Sequence, residues 1–214
     1  MGAFERRHAL IFAAAPETEY GYIRAFLKEH PDALIACADG GLRHARALGL
    51  HPDFMISDCD SMPEVEGAEV VRLRPEKDDT DTESAVQTAA ELGAEEIHIV
   101  GGTGSRLDHM LANVYLLGLL REEGISAYLV DAHNRVQVID QRTVIKRETQ
   151  YGKYVSLLPF MGAVEGITLK GMKYPLEDYT LDHCHSIGIS NEITGEQAEI
   201  ELRTGRLVVI ESKD

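Results

Sequence analysis

The segment Ile97-His98-Ile99-Val100-Gly101-Gly102-Thr103-Gly104-Ser105-Arg106-Leu107-Asp108-His109 decides the fold of this chain, because it joins an apolar run to a helix through a glycine-rich loop. The apolar run at its start predicts a buried strand. After the loop, six apolar side chains recur at helical spacing: Leu107, Met110, Leu111, Val114, Leu117 and Leu120. This spacing predicts an amphipathic helix, so the segment is interpreted as one strand–loop–helix unit.

The same alternation extends on both sides of this segment. Five more strand-like runs lie at residues 9–14, 33–38, 54–57, 70–73 and 127–130. Helix-like stretches lie at residues 17–29, 41–48 and 80–92. Short apolar strands that alternate with helices predict parallel pairing, with helices on both faces of the sheet. The run at residues 70–73 is expected at an edge of that sheet.

Beyond Val136 the pattern changes to strand-like runs without a helix of any length. These runs lie at residues 136–139, 154–158, 166–169, 198–202 and 207–210. Thr204-Gly205 lies between the last two runs and predicts a short hairpin turn. The tail is therefore predicted to be a small antiparallel sandwich or barrel. The predicted organisation is an α/β domain with a parallel sheet, residues 1–140, followed by a β domain, residues 141–214.

The composition argues against several classes of function. The chain has 214 residues, a net charge of -15 and a pI near 5.0, with its basic residues scattered. Because nucleic-acid phosphates bind clusters of Lys and Arg, nucleic acid is not expected as a partner. Three widely spaced cysteines without a CxxC pair predict no disulfide framework and favour a reducing, cytoplasmic location. Neither a signal peptide nor a run of membrane-spanning length is evident, so no membrane association is expected.

Polar motifs follow the ends of four predicted strands. They are Asp39-Gly40-Gly41, Asp58-Cys59-Asp60-Ser61, the run at residues 77–81 and the glycine-rich loop at residues 101–109. Ligands of open parallel sheets bind beyond the carboxyl ends of the strands. The four motifs are therefore predicted to form one rim. Four placements at the same edge of the sheet indicate a ligand site more strongly than any single motif does.

Two of these motifs contain five aspartates between them: Asp58, Asp60, Asp78, Asp79 and Asp81. Neighbouring carboxylates repel one another, and a divalent cation is the usual compensation. Mg²⁺ prefers one or two carboxylates together with phosphate oxygens of a substrate. The pattern therefore predicts magnesium-dependent chemistry on a phosphorylated substrate. Taken alone, the aspartates at 78–81 also fit a helix start that the helix dipole favours.

The glycine-rich loop matches neither a Walker P-loop nor the dinucleotide fingerprint GxGxxG. It is still able to present backbone N–H groups to a phosphate, with Arg106 adding positive charge beside a helix N-terminus. Asp108, in the first turn of that helix, fits either a reacting centre or a purely stabilising role. His109 and Asn113 lie one helical turn apart and share either a site or a packed face.

Five segments together resemble the bacterial thiamine pyrophosphokinase family. In chain order they are ADGGLRHARALGLHPDFMISDCDS, EKDDTDTESAV, GGTGSRLDHMLANVYLL, GITLKGMKYPLED and SIGISNE, and they span Ala38 to Glu192. The resemblance implies an α/β catalytic domain and a C-terminal β-sandwich. It also implies a homodimer, with thiamine bound between the catalytic rim of one subunit and the β domain of the other. The implied reaction is magnesium-dependent transfer of diphosphate from ATP to the thiamine hydroxyl, releasing AMP.

The resemblance also implies roles for individual residues. The implied magnesium ligands are Asp58, Asp60 and Asp81. The implied contacts to ATP or to the reacting hydroxyl are Asp39, Gly40, Gly41, Lys77, Gly102 and Arg106. Asp108 would belong to the same reacting centre, with either Asp58 or Asp108 as the proton acceptor. Ser190 and Asn191 would help to hold thiamine.

Two other functions remain open on the sequence. A magnesium-dependent phosphohydrolase or a nucleotide-sugar transferase would use the same aspartates without needing Ser190-Asn191-Glu192. A nucleotide- or thiamine-binding regulator would catalyse no reaction. The acidic residues on all four polar motifs argue against this function. Products formed from ATP and thiamine distinguish the three.

Overall fold

The structure of the chain is a computed structural model, which describes residues 7–57, 69–72, 79–104, 106–182 and 186–214. The chain divides into two compact units, residues 1–132 and residues 133–214. The functional domains predicted from the sequence, 1–140 and 141–214, differ from these units by the short segment 133–140. The boundary between the two functional domains, at residues 140 and 141, remains a prediction.

The first unit alternates strands with helices. Its strands are β1 (His8–Phe12), β2 (Leu34–Ala38), β3 (Phe54–Ser57), β4 (Glu69–Arg72), β5 (Glu96–Val100) and β6 (Ser126–Val130). Its α-helices are α1 (Gly21–Glu29), α2 (Leu42–Leu48), α3 (Asp81–Glu91) and α4 (Leu107–Glu122), and a 3₁₀ turn, Asp39–Gly41, precedes α2. Each strand predicted here is present within two residues of its predicted bounds. None of the described helices is long and apolar enough to cross a membrane.

The described strand pairs of this unit are all parallel, in the order β4-β3-β2-β1-β5-β6. Strand β4 lies at the edge, as predicted. The direction of winding reverses at β1, because its two neighbours are β2 and β5. Such a switch point opens a crevice beyond the carboxyl ends of the strands on either side of it. The predicted parallel α/β fold is therefore confirmed.

The core of this unit explains why its strands are continuous apolar runs. All five residues of β2 are buried, and Ala36, Cys37 and Ala38 are at most 1% exposed. Helix α3 packs against β1, β2 and β3, and helix α4 packs against β6. A parallel strand with no solvent-facing side selects apolar residues at every position rather than at alternate ones.

Helix α4 does not have the apolar face predicted for it. Leu107 and Leu111 are 64% and 46% exposed. The buried residues of the helix are Asn113, Leu116, Leu117, Gly118 and Leu120. Asn113 faces inward because its Nδ2 donates a hydrogen bond to the carbonyl oxygen of Gly102 at 2.8 Å. The prediction was wrong over the first turns, where a polar side chain with a buried partner takes the inward position.

The second unit is a sandwich of two antiparallel sheets. Its strands are β7 (Asn134–Ile139), β8 (Thr143–Lys146), β9 (Tyr154–Pro159), β10 (Val164–Lys170), β11 (Leu176–Leu181), β12 (Asn191–Glu192), β13 (Gln197–Glu201) and β14 (Leu207–Ser212). Within this unit the strand orders are β12-β9-β14-β7 and β11-β10-β13-β8. Both sheets contribute to one core, with Leu157 and Val209 from the first and Ile167 and Ile200 from the second. The predicted β-sandwich is therefore confirmed.

Strand pairing in this unit differs from the prediction at one turn. Gly205 adopts a φ of 92°, as a turn glycine does, but β13 and β14 lie in different sheets. The predicted hairpin was wrong because turn chemistry does not specify which strands pair. Strands β8, β11 and β12 were not predicted. Only one of the six residues of β11 is buried, so its sequence has no apolar run.

Candidate functional site

A cleft of about 460 Å³ opens beyond the carboxyl ends of β1, β2 and β5. The loops after these strands and the first turns of α3 and α4 line it. The lining residues are 13–15, Ala38, Asp39, 79–82, Gly101, Gly102, Gly104, Arg106, His109 and Asn113. The cleft therefore lies at the switch point of the sheet, where parallel sheets bind their ligands.

Asp39 enters the cleft from an unusual backbone conformation at the end of β2. Its φ is 46°, in the left-handed region that few residues other than glycine adopt, although aspartate tolerates it better than most. Backbone strain of this kind clusters at ligand sites. Two residues later, a Cβ at Gly41 would lie 1.9 Å from the carbonyl oxygen of Phe12. The close contact with β1 thus fixes the turn that carries Asp39.

The loop after β5 is connected to its neighbours through its backbone. Gly101 and Gly104 have φ values of 67° and 86°, which glycine adopts without strain. The Ala15 N–H donates to the Gly101 carbonyl at 2.7 Å, which joins this loop to the one after β1. The Asn113 amide holds the Gly102 carbonyl in the same way. One wall of the cleft is therefore a connected backbone surface, without side chains that would keep a ligand away from it.

Two helices begin at the cleft. Thr80 is the N-cap of α3, and its hydroxyl accepts a hydrogen bond from the Glu83 N–H at 3.1 Å. Arg106 holds the N-cap position of α4 and makes no side-chain capping bond. The N–H groups and the dipole at a helix N-terminus favour anions. The cleft therefore offers two places where a phosphate group is stabilised.

Among the described lining residues, three carboxylates and one guanidinium share the cleft. They belong to Asp39, Asp79, Asp81 and Arg106. These described side chains carry an excess of negative charge, which a bound cation would compensate when a polyphosphate enters. The acidic donors are oxygens, which suit Mg²⁺ better than they suit metals that prefer imidazole or thiolate ligands. The described carboxylates therefore fit a magnesium site.

Arg106 and Asp108 form a two-pronged ion pair at the start of α4. Arg106 Nη2 lies 2.5 Å from Asp108 Oδ2, and Arg106 Nε lies 3.1 Å from Asp108 Oδ1. The His109 N–H also donates to Asp108 Oδ1, at 2.9 Å. The hydrogen bonds from Arg106, and after them the one from His109, lower the pKa of the Asp108 carboxyl to about 2. Asp108 is therefore ionised at neutral pH and orients the guanidinium of Arg106.

His44 supports the cleft from behind. Its ring is 1% exposed, and Tyr20 Oη lies 2.9 Å from its Nδ1. Its Nε2 lies 2.9 Å from the carbonyl oxygen of Ala15, and because a carbonyl only accepts, Nε2 carries the proton. The ring therefore joins α2 to the loop after β1 and to Tyr20. Burial is the largest cause of a His44 pKa below its ordinary value.

The pH dependence of stability provides a test of this arrangement. Since the pKa of His44 is lower in the folded chain than its ordinary 6.5, the unfolded chain takes up a proton first as the pH falls. The contribution of the neutral His44 side chain to the free energy of unfolding is therefore present above about pH 6.5. It declines below that pH, by at most about 1.4 kcal/mol per pH unit for one proton. We expect the stability gap between the wild type and His44→Gln to narrow as the pH falls through this range. Urea unfolding at several pH values measures the gap, and a constant gap would contradict the assignment.

The residues predicted for the rim of the first unit fall into three groups. Those that line the cleft are Asp39, Asp81, Gly102 and Arg106. Those that adjoin it, through the 3₁₀ turn or the ion pair, are Gly40, Gly41 and Asp108. Those that lie outside the described residues are Asp58, Asp60 and Lys77. Their individual roles all remain predictions.

Ser190 and Asn191, predicted to hold thiamine, differ in their surroundings within the second unit. Asn191 is buried; its Oδ1 accepts from the Tyr174 N–H at 3.0 Å and its Nδ2 donates to the Tyr174 carbonyl at 2.8 Å. These bonds fix a segment whose Tyr174 ring is 56% exposed. Ser190 is exposed, with a φ of 56°. Asn191 therefore organises this surface, and Ser190 and Tyr174 present side chains on it.

Sequence reasoning missed several parts of these surfaces. The loop at 13–15 is three alanines, which carry no chemical signal and matter only because a ligand can approach their backbone. His44 and Tyr174 were not singled out, because their contacts are made with residues distant in sequence. For His109 and Asn113 the spacing signal was present, and the structure assigns the first to the cleft lining and the second to both lining and packing.

Two family models match the chain in succession. The model for "Thiamin pyrophosphokinase, catalytic domain" matches residues 27–129. The model for "Thiamin pyrophosphokinase, vitamin B1 binding domain" matches residues 142–207. Together the two matches cover more than half of the chain, the first in the first unit and the second in the second unit.

Individual relatives are similar over nearly the whole length. The thiamine pyrophosphokinase of Bacillus subtilis (strain 168) is 29% identical over 211 residues, which cover 95% of this chain and 98% of the relative. A crystal structure of thiamine pyrophosphokinase from Bacillus subtilis matches with a TM-score of 0.87 and 28% identity, covering 97% of this chain and 99% of that one. A crystal structure of thiamin pyrophosphokinase from Geobacillus thermodenitrificans matches with a TM-score of 0.84 and 27% identity, covering 97% and 98%.

Proposed function

The chain belongs to the thiamin pyrophosphokinase family, and from this premise we propose how its residues carry out the reaction. The reaction is transfer of a diphosphate group from ATP to the hydroxyl of thiamine, which gives thiamine diphosphate and AMP. The main support for the residue assignments is the cleft at the switch point, where Asp39, Asp81 and Arg106 meet two helix N-termini.

The triphosphate of ATP is proposed to bind along the loop after β5. The first turns of α3 and α4 stabilise its negative charge, and the glycines at 101, 102 and 104 allow its oxygens to approach the backbone. Arg106 adds a guanidinium, whose planar fork of donors matches two phosphate oxygens at once. The turn with Asp39, Gly40 and Gly41 forms the opposite side of the proposed ATP site. Lys77 is proposed as a second cation for the phosphates.

Asp81 is proposed as one magnesium ligand, together with Asp58 and Asp60. When bound, Mg²⁺ would neutralise charge on the phosphate oxygens of ATP. Asp81 lies in the first turn of α3, whose N-cap Thr80 fixes the start of the helix. The carboxylate is therefore carried by a capped helix rather than by a free loop, which holds it in position before the substrates bind.

In the reaction the hydroxyl oxygen of thiamine attacks the β-phosphorus of ATP. The bond between that phosphorus and the oxygen of the α-phosphate breaks, and AMP leaves with that oxygen. Phosphoryl transfer needs positioning and charge stabilisation more than covalent help, which is what the helix termini and Arg106 supply. The hydroxyl proton is released to a carboxylate. Of the two candidates, Asp58 and Asp108, the second is a weak base because the pKa of its carboxyl is about 2.

The role of Asp108 is tested by its effect on the pH profile. We expect Asp108→Asn to lower kcat roughly ten- to a hundredfold, because Arg106 loses the partner that orients it. The acid limb of kcat/KM should stay at the wild-type pH, since a group with a pKa of about 2 is ionised throughout the working range. Arg106→Lys is the matched variant, since it keeps the charge and loses the fork, and it should slow the reaction similarly. An acid limb that moves in Asp108→Asn would instead identify Asp108 as the proton acceptor.

Thiamine is proposed to contact the second unit around Ser190. The Tyr174 ring provides an exposed aromatic surface for a heteroaromatic ring, and the two hydrogen bonds of Asn191 hold its segment in place. Ser190 supplies a hydroxyl beside it. In this proposal Asn191 acts by fixing the Tyr174 segment.

We further propose that the chain works as a homodimer in the cytoplasm. The dimer follows from the family resemblance, and the location from the cysteine pattern and the use of ATP.

Cys37 is buried, and burial raises the pKa of its thiol to about 12, so it is not a reactive cysteine.

A single incubation with ATP, Mg²⁺ and thiamine tests the function. Thiamine diphosphate and AMP in equal amounts are the expected products. Formation of ADP or free phosphate without a need for thiamine would support a phosphohydrolase, and binding without turnover would support a regulator. The phosphohydrolase and nucleotide-sugar transferase alternatives find no support in the two family models or in the Bacillus subtilis relative, which are all thiamine pyrophosphokinases.

A further inference from the structure

A second cluster of polar side chains lies at the opposite ends of the strands from the cleft. Strand β1 begins at His8 and β5 begins at Glu96, and the two residues face each other in the parallel register. His30 directly follows α1, and its ring centroid lies 3.8 Å from that of His8. The fold thus gathers two imidazoles and a carboxylate from three elements at the amino end of the sheet.

We propose that His8, His30 and Glu96 bind one divalent transition-metal ion of the zinc class. One ligand atom from each of the three side chains lies within 4.8 Å of the others. Ligand atoms around a tetrahedral zinc ion, with bonds of about 2.0–2.2 Å, are roughly 3.3 Å apart. Rotation of the stacked His8 and His30 rings would bring the ligand atoms from this spacing to that of a bound ion. Because all three residues are only partly buried, the fourth position is open to water.

His8 supplies the observation that points to a ligand. Its Nδ1 atom is buried and has no hydrogen-bond partner among the described residues. Glu96 Oε1 lies 3.5 Å away, a distance that suits an ion pair only when the imidazole is protonated. A buried polar atom without a partner is costly, and most such atoms in folded proteins are satisfied. A metal ion bound at this point would accept the nitrogen lone pair.

His98 orients the carboxylate of the proposed site. Because a carboxylate only accepts, His98 Nε2–H donates to Glu96 Oε1, at 2.9 Å. This hydrogen bond is the largest cause of a Glu96 pKa below the ordinary value, so the carboxyl is ionised at neutral pH. Hydrogen bonds that hold a ligating side chain in place are a regular feature of metal sites. We therefore regard His98 as a positioning residue for Glu96.

Phe26 forms one wall of the proposed site. Its ring centroid lies 4.8 Å from that of His30 and 4.3 Å from that of His98. It also meets His8 edge-on at 6.5 Å. These contacts restrict the orientations of the imidazoles and exclude water from one side, which strengthens the attraction between the site and a cation.

The ligand set selects the metal. Two imidazole nitrogens and one carboxylate, with an open position, are typical of zinc and of non-haem Fe(II), whereas Mg²⁺ and Ca²⁺ prefer oxygen ligands alone. The proposed site therefore differs in chemistry as well as in place from the carboxylates of the cleft. The competing explanation is a metal-free cluster in which three imidazoles pack around one carboxylate and Phe26.

Cobalt titration distinguishes the two explanations. The full chain, stripped of metal and kept in excess MgCl₂, is titrated with Co²⁺ while the visible absorption of four-coordinate cobalt is followed. We expect the wild type to bind one equivalent of Co²⁺ per chain tightly. His30→Gln and Glu96→Gln should weaken binding at least about a hundredfold, and His98→Gln roughly tenfold. His51→Gln, which removes an exposed histidine of the same unit, is the matched control and should bind cobalt as the wild type does.

The proposal would be overturned if cobalt bound to other histidines or cysteines of the chain. His183-Cys184-His185 is the competing run of metal-binding residues in the sequence. If the cobalt band is lost in a His183→Gln/His185→Gln variant and kept in His30→Gln, the proposal is overturned. It is also overturned if wild type and His30→Gln give the same titration. His8→Gln is a further variant, but because His8 begins a central strand, the decision rests on the more peripheral His30.

Discussion

Replacing Asp81 with asparagine is expected to lower kcat at least about a hundredfold at ordinary Mg²⁺ concentrations while the fold stays intact. Asp81 lines the cleft from the first turn of α3. Asparagine has almost the same shape and keeps one oxygen, but it removes the negative charge that the proposed magnesium site needs. The measurement is AMP formation from ATP and thiamine, at saturating substrate, over a range of Mg²⁺ concentrations.

Glu83 provides the matched control for this variant. It is the other acidic residue in the first turn of α3 and is not among the described residues that line the cleft. Glu83→Gln removes the same favourable interaction with the helix dipole, about 0.3–1 kcal/mol of stability, without touching the proposed metal site. Its kcat should stay within about twofold of the wild type. Wild-type turnover in Asp81→Asn, or an equal loss in both variants, would rule out Asp81 as a magnesium ligand.

Replacing Gly41 with alanine is expected to destabilise the first unit by at least about 3 kcal/mol, or to prevent its folding. A Cβ at this position would lie 1.9 Å from the carbonyl oxygen and 2.5 Å from the carbonyl carbon of Phe12. Both atoms belong to the backbone of β1, which is hydrogen-bonded to β2 and β5 and is not free to move. Urea unfolding followed by circular dichroism measures the loss.

Gly40 is the control for the effect of an added methyl group. A Cβ at Gly40 would lie 3.4 Å from the nearest atom, Ala14 Cβ, which is an ordinary contact. Gly40→Ala should therefore change the free energy of unfolding by no more than about 0.5 kcal/mol. If the two variants proved equally stable, the close approach of the 3₁₀ turn to β1 would be wrong.

The sequence predicted the parallel sheet well, for a physical reason. A strand buried on both faces has to be apolar at every position, so its run stands out from the helices around it. The runs at 33–38 and 54–57 therefore gave β2 and β3 within one residue. Strand β11 was missed because it is mostly exposed, and the hairpin at Thr204-Gly205 was wrong because pairing partners are set by distant contacts.

The candidate site was predictable where charge and topology act together. Asp39, Asp81 and Arg106 follow different predicted strands, and the parallel sheet then requires them to meet at one rim. The spacing of His109 and Asn113 left a site and a packed face equally open, and the inward position of Asn113 depends on its bond to the Gly102 carbonyl. Local spacing did not indicate the cluster around His8, since its members come together only when β1, β5 and the end of α1 are assembled.

The position of β14 has a consequence for how the second unit forms during synthesis. This strand lies between β7 and β9, with Ser212 opposite both Asn134 and Tyr154. Contacts so distant in sequence form slowly, and here they have to await a strand that is synthesised after both β7 and β9. Until then β7 and β9 each have an edge without its partner, and such edges invite pairing with other chains. The interval before β14 emerges is thus the period of greatest aggregation risk, and a truncation before Leu207 would make that state permanent.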